Sequence, residues 1–212
     1  MNTLMLLTLS LSATTQLPDG TLLVMENSSK AVARVTGSRV THVAMIFNHD
    51  DTAWVYEATP AKVRRLTLTD YRDELGALNR SRTHSTVVSI LEPKYPYSEM
   101  QIGRMQTHAA SQIGRRYSIK GYVRGNEFDG IHCAHLAAET LEKSGRCQFD
   151  REYAITPGEL VTSITPLYKR AASLAVEPSG SSRSWCDRSW TTWFNYGTWC
   201  RWACYESWTF CW

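Results

Sequence analysis

The chain has 212 residues, enough for one ordinary domain with a short appendage and too few for two full domains. Hydrophobic residues make up 43% and charged residues 20%, which excludes wholesale disorder, a collagen-like chain and a polytopic membrane protein. Lys plus Arg is 23 against 20 Asp plus Glu, a formal charge of +3 with no dense basic run, so nucleic acid is not an expected partner.

Residues 1–14 carry an apolar run from Leu4 to Leu11, far too short to cross a bilayer as a helix. The run fits the apolar region of a signal peptide ending at Ala13, although no Lys or Arg precedes it. The protein is then exported, to a periplasm or beyond the cell. Alternatively, the run opens the domain itself and the protein is cytoplasmic. Residues 15–172 have an even composition and read as one domain. Val40 to Phe47 is dense in β-branched and apolar residues, a buried strand, and Asn48 to Asp51 is a polar turn cluster. Ala53 to Ala58 is the partner strand, stopped by Pro60, and Val87 to Leu91 is a third strand.

The second half is helical. Ser98 and Gln101 form a capping-box pattern, and Ile102, Met105, Ala109 and Ile113 follow at helical spacing up to Gly114. Cys133 to Lys143 is a run of good helix formers ended by Gly145. Thr156 with Glu159, and Pro157 at the first helical position, mark a short helix. Strands first and helices after is an α+β pattern, with an antiparallel sheet packed against helices.

Residues 173–184, rich in Ser with Pro178 and Gly180, have a linker composition. The tail, 185–212, holds seven of the eight Trp and four of the six Cys: Cys186, Cys200, Cys204 and Cys211. Those cysteines could form two disulfides in any of three connectivities. Cys200 and Cys204 could share a helix face toward a metal, but no His lies nearby. The aromatics could also make an interfacial patch, the sole argument for membrane association. Trp, Cys, Ser and Arg crowded without periodicity equally fits a stretch with no selected function.

A cysteine hydrolase needs a thiolate, a base that takes and returns its proton, and a group that orients the base. If Phe47 and Thr52 flank a four-residue loop, His42 falls directly opposite Glu57 on one face of the hairpin. The carboxylate then fixes one ring nitrogen and leaves the other for a nucleophile. Cys133 follows a loop with two Gly and opens a helix, where the macrodipole and the unpaired N–H groups favour a thiolate and an oxyanion. Cys147, in a plain post-helix loop, reads as a small buried hydrophobe. His132, Cys133 and His135 diverge in direction, so no metal is expected there. His132 is placed in a loop at the mouth of the site, His135 faces away from Cys133, and His49, His84 and His108 read as turn or surface residues.

Gly20 onward, Thr41-His42-Val43-Ala44, Val55-Tyr56-Glu57-Ala58-Thr59-Pro60 and a later Cys133 at a helix start form an ordered set over about residues 18–168. That set resembles the YaeF/YiiX family of permuted papain-like cysteine hydrolases, related to NlpC-type enzymes. The resemblance implies a circularly permuted papain-like fold and no cofactor. It implies Cys133 as nucleophile, His42 as general base and acid, and Glu57 as orienting residue. Tyr117, in a segment similar to the family's Gly-x-x-Tyr-Asp, is implied to line the substrate pocket, and His132, placed at its mouth as a loop residue, is the second expected substrate contact. Departures are Cys133-Ala134-His135 where the family has Cys-Ser-Glu, Thr21 where Asp follows the first Gly, and Ser118 where Asp follows the Tyr. The implied activity is cleavage of an amide in a peptide, cell-wall peptide or small molecule through a thioacyl-enzyme. An ester or acyl-lipid hydrolase or acyltransferase, or a silent peptide-binding module, is the alternative on the same fold. The oligomeric state is not encoded in any of these signals.

Overall fold

The computed structural model describes residues 16–26, 28–80, 86–125, 129–174 and 176. The expected signal segment at 1–14, linker residues 175 and 177–184, the tail at 185–212 and His84 lie outside the described residues. The elements in chain order are β1 (Thr21–Glu26), α1 (Lys30–Thr36), β2 (Val40–His49), β3 (Thr52–Ala58), β4 (Val63–Thr67), α2 (Leu68–Arg80) and β5 (Val87–Pro93). They continue with α3 (Glu99–Ser111), α4 (Lys120–Arg124), α5 (Cys133–Glu142), α6 (Pro157–Ile164) and β6 (Tyr168–Ser173).

The six strands form one sheet in the order β4-β3-β2-β1-β5-β6, with every neighbouring pair antiparallel. The expected α+β class with an antiparallel sheet is therefore what the chain adopts. Both faces of the sheet are covered. Leu22, Val24, Val43, Met45, Phe47 and Tyr56 pack with Met105 of α3, Ala134, Ala137, Ala138 and Leu141 of α5, and Leu160 and Ile164 of α6. Leu23, Met25, Ala44, Ile46 and Val55 pack with Tyr71 and Leu75 of α2 and with Leu174. A strand buried on both faces carries an apolar run rather than an alternation, which is what TLLVME in β1 shows. Leu174 is buried and donates its N–H to the Val88 carbonyl at 2.8 Å, so packing continues past the expected domain edge at Ala172.

The β2–β3 hairpin differs from expectation in one respect. His49 pairs with Thr52, and Asp50 and Asp51 alone make the turn, with φ of 47° and 58°. Positive φ at both central residues is the two-residue turn whose twist matches antiparallel strands, and Asp tolerates that conformation better than most residues. Phe47 therefore pairs with Trp54, and the hairpin is two residues tighter than a four-residue loop would make it. A two-residue shift leaves every side chain on its expected face, whereas a one-residue shift would reverse them all. The third helix also stops at Ser111, two residues before Ile113, which is 46% exposed.

The segment before α5 is tied to the β4 side of the sheet. Val63 exchanges hydrogen bonds with Gly114 and Arg115, and Ile131 bonds Arg116 and Ser118. These ties lay residues 130–133 beside the end of the β3–β4 pair that carries Glu57 and Arg64.

Candidate active site

His42 sits near the start of β2 and Glu57 near the end of β3, diagonal neighbours on one face in the observed register. Diagonal positions lie farther apart than directly opposed ones, but long side chains bridge them. The imidazole Nε2 donates to Glu57 Oε2 at 2.7 Å. That leaves Nδ1 for the thiol. The Cys133 sulfur lies close enough for its charge and a side-chain hydrogen bond to act on the ring. Burial alone would disfavour a charged ring. The charge and hydrogen bond of the Cys133 side chain, then those of Glu57, outweigh it and push His42 up to about 10. The Glu57 carboxyl is held below its ordinary value: burial opposes ionisation, and the hydrogen bond and charge of His42, then Arg64, overcome it.

Cys133 is the first residue of α5, and His132 is the N-cap at φ −105° and ψ 171°. Helix starts leave N–H groups without intrahelical acceptors, and here they stand next to a sulfur. The role expected for His132, a loop residue at the mouth of the site that touches substrate, does not match its place. The ring is 1% exposed. Its Nδ1 accepts from the His135 N–H at 3.2 Å, and its Nε2 donates to the Tyr153 carbonyl at 3.0 Å. Both nitrogens are thus engaged by the backbone, and burial pushes the group down to about 3, against the opposing pull of the Tyr153 carbonyl. His132 is a neutral cap that fixes where α5 begins and so where the sulfur sits. A capping imidazole has no short sequence signature of the Ser/Thr/Asp/Asn kind, so the sequence does not announce this cap.

Tyr117 is 8% exposed and packs with Ala58, Val63, Ile131 and Leu136. Its ring belongs to the apolar cluster beneath the start of α5, whereas the expectation was a substrate-pocket wall. Two glycines make the close approach possible. Gly130, at φ +115°, would place a Cβ 2.7 Å from that of Ser118, and a Cβ on Gly121 would strike the Tyr153 carbonyl that receives the His132 ring.

His135 was expected to face away from Cys133; its Nε2 lies 3.1 Å from Glu139, one turn further along α5. His108 of α3 reaches the other oxygen of Glu139 at 3.3 Å, so it is a half-buried helix-to-helix contact and not a plain surface residue. Arg115 lies 3.7 Å from the same carboxylate. Among the described residues, no group of three or more His, Cys, Asp or Glu side chains is arranged to hold a metal ion. Cys147 is half-buried and free, and burial, then Glu142, pushes its thiol up to about 11. No described helix is long and apolar enough to cross a membrane.

No protein-family model matches the chain, and no curated protein matches it. Among solved structures it is similar to the crystal structure of metalloprotein YiiX from Escherichia coli O157:H7. The TM-score is 0.56 at 15% identity, and the match covers 76% of this chain and 98% of that one. The chain has a YiiX-like fold. At this identity the likeness concerns the fold alone. Within that fold, the sequence signals missed Arg64. Its Nε and Nη2 reach Glu57 Oε1 at 2.8 and 2.6 Å. Two adjacent Arg in a short strand read as solvent-facing, and only the β3–β4 register shows that Arg64 is paired with Glu57.

Proposed function

We propose that the chain is a cysteine hydrolase that cleaves an amide bond through a thioacyl-enzyme. In this reading the domain is a permuted papain-like one, with base and acid on the sheet ahead of the nucleophile. The observation that carries the reading is the meeting of Cys133, His42 and Glu57, from α5, β2 and β3, with the imidazole bonded to the carboxylate on one side and facing sulfur on the other.

The chemistry follows from that order. An imidazole beside a thiol can take its proton, and the imidazolium–thiolate pair so formed is the reactive form of a thiol nucleophile. Cys133 Sγ attacks the substrate carbonyl carbon, and the carbonyl π pair moves to oxygen. In this reading the free backbone N–H groups at the start of α5 stabilise that oxyanion. The C–N bond then breaks, and His42 gives its proton to the leaving amine. Water attacks the thioester with His42 as base, the C–S bond breaks, and the acid departs. Glu57 holds the ring in place and offsets its positive charge throughout.

The test uses the full chain with peptide p-nitroanilides and an activated ester. Intact-mass measurement after rapid acid quenching is expected to show one acyl group on the peptide that contains Cys133. Cys133→Ala is expected to lose both the adduct and turnover. Turnover that survives in Cys133→Ala, or an acyl group on another residue, would overturn the assignment.

A further inference from the structure

Glu57 has a second partner that the triad does not require. Its side chain is 4% exposed, so both carboxylate oxygens need donors. Oε2 takes the His42 N–H, and Oε1 takes Arg64 Nε and Nη2. Arg64 stands directly opposite Glu57 in the β3–β4 register. Its guanidinium continues to Glu74 on α2, with Nη1 at 3.1 Å from one oxygen and Nη2 at 2.5 Å from the other. Along this line the groups run sulfur, imidazole, carboxylate, guanidinium, carboxylate, with charge able to alternate at every step.

The terminal torsion of a Glu is broad and two-fold, so a carboxylate held by one partner can follow that partner as it moves. Pinning Oε1 from the opposite side removes that freedom. A guanidinium does this better than an ammonium, because its planar fork serves two carboxylates at once with fixed geometry.

We propose that Arg64, itself held by Glu74, is a positioning residue: it fixes one oxygen of Glu57 so that the other is presented to His42, and α2 thereby sets the orientation of the imidazole. The catalytic consequence rests on the hydrolase reading, and the clamp itself does not. The titratable and charged groups around Glu57 are His42 from β2, Arg64 from β4 and Tyr71 from α2, with Cys133 of α5 beyond the ring and Glu74 of α2 beyond the guanidinium. Tyr71 is buried, its hydroxyl has no hydrogen-bond partner among the described residues, and burial raises its ionisation well above the ordinary range, so it stays neutral. Among the described residues, Arg64 is the one cation that acts on Glu57 from the side away from the ring.

The experiment compares Arg64→Met, Arg64→Lys and Glu74→Gln with the parent full-length chain. Two quantities are read against pH: titration of the Glu57 carboxyl by carbon NMR, and the alkylation rate of Cys133 by iodoacetamide. Arg64→Met is expected to move the Glu57 titration upward by about one to three pH units, the reach of a neighbouring guanidinium. The acid limb of Cys133 alkylation is expected to rise with it. Added guanidinium ion below denaturing concentration is expected to restore part of both shifts in Arg64→Met and to change neither in the parent. Arg64→Lys, which keeps the charge and loses the fork, and Glu74→Gln, which frees the guanidinium, are expected to give smaller shifts in the same direction. An unmoved Glu57 titration in Arg64→Met overturns the clamp. If that variant does not fold, unmoved titrations in both Arg64→Lys and Glu74→Gln overturn it. A parent Cys133 with ordinary thiol behaviour would instead remove the hydrolase reading, while the Glu57 titrations still decide the clamp.

Discussion

Replacing Glu57 by Gln removes one charge from between two cationic partners and leaves Arg64 Nε and Nη2 facing an amide. Breaking a buried pair by removing one member costs about 3–5 kcal/mol. Arg64 is 35% exposed, so water takes up part of the loss, and about 3 kcal/mol is the expected cost at neutral pH. That is a large share of the roughly 5–15 kcal/mol that holds a domain folded. The pH dependence gives a second handle. Because the Glu57 carboxyl titrates lower in the folded chain than in the unfolded one, its stabilisation is complete above the unfolded value of 4.5 and is lost as pH falls through the folded value. Between those limits the unfolded chain binds one more proton, so stability rises with pH by about 1.4 kcal/mol per unit from this group alone. His42 is protonated in both states over that range and does not blur the comparison. Urea unfolding of both proteins, extrapolated to water at neutral pH and at steps below the unfolded value, reads both effects. Glu57→Gln is expected to lower neutral stability and to flatten the acid slope by one proton. Equal stability and equal slopes would show that the carboxylate is not held as described.

Other changes probe how the sulfur is placed. His132→Ala is expected to cost about 2 kcal/mol, because it removes a cap from the His135 N–H and leaves the Tyr153 carbonyl without its donor. His132 is pushed down from 6.5 to about 3, so its contribution is complete above 6.5 and is lost as pH falls toward 3; the variant should show a flatter decline over that window in pH-dependent unfolding. Gly121→Ala is expected to cost about 1–3 kcal/mol and to slow Cys133 alkylation, since the new methyl meets the Tyr153 carbonyl. Gly103→Ala in α3, where nothing lies within 4 Å, is expected to stabilise by about 0.5–1 kcal/mol with alkylation unchanged. If the two glycine variants behave alike in thermal unfolding, backbone crowding at Gly121 is not what fixes the cap.

Periodicity and caps carried much of the fold. The capping boxes at Ser98 and Thr156 are present with both reciprocal bonds, because they are local and depend on no distant partner. The strand β1 carries no periodic signal, because covering both faces leaves a short apolar run that fits a buried helix segment as well as a strand. The helix α2 did carry one: Leu68, Tyr71, Leu75 and Leu78 recur at helical spacing, and Thr67 Oγ1 accepts the Asp70 N–H. That pattern follows β4 without a break, so no turn residue announces it. The hairpin lesson is sharper. A four-residue turn is two residues longer than the observed one, yet either places His42 and Glu57 on one face, because parity and not register decides the face of a strand. Arg64 and His132 were illegible for a different reason. Their roles come from partners brought in by the fold, Glu74 from α2 and the Tyr153 carbonyl from the short 3-10 helix Glu152–Ala154 before α6.

The most direct measurement is the alkylation rate of Cys133 as a function of pH, read by peptide mapping alongside Cys147 in the same chain. Cys147, pushed up to about 11, serves as the internal reference. At pH 6 the Cys133 peptide is expected to react at least about tenfold faster than the Cys147 peptide, since only a paired thiol is reactive below neutrality. His42→Ala is expected to abolish that advantage. A Cys133 that reacts no faster than Cys147 at pH 6, or one whose rate His42→Ala leaves unchanged, would contradict the pairing of sulfur with imidazole.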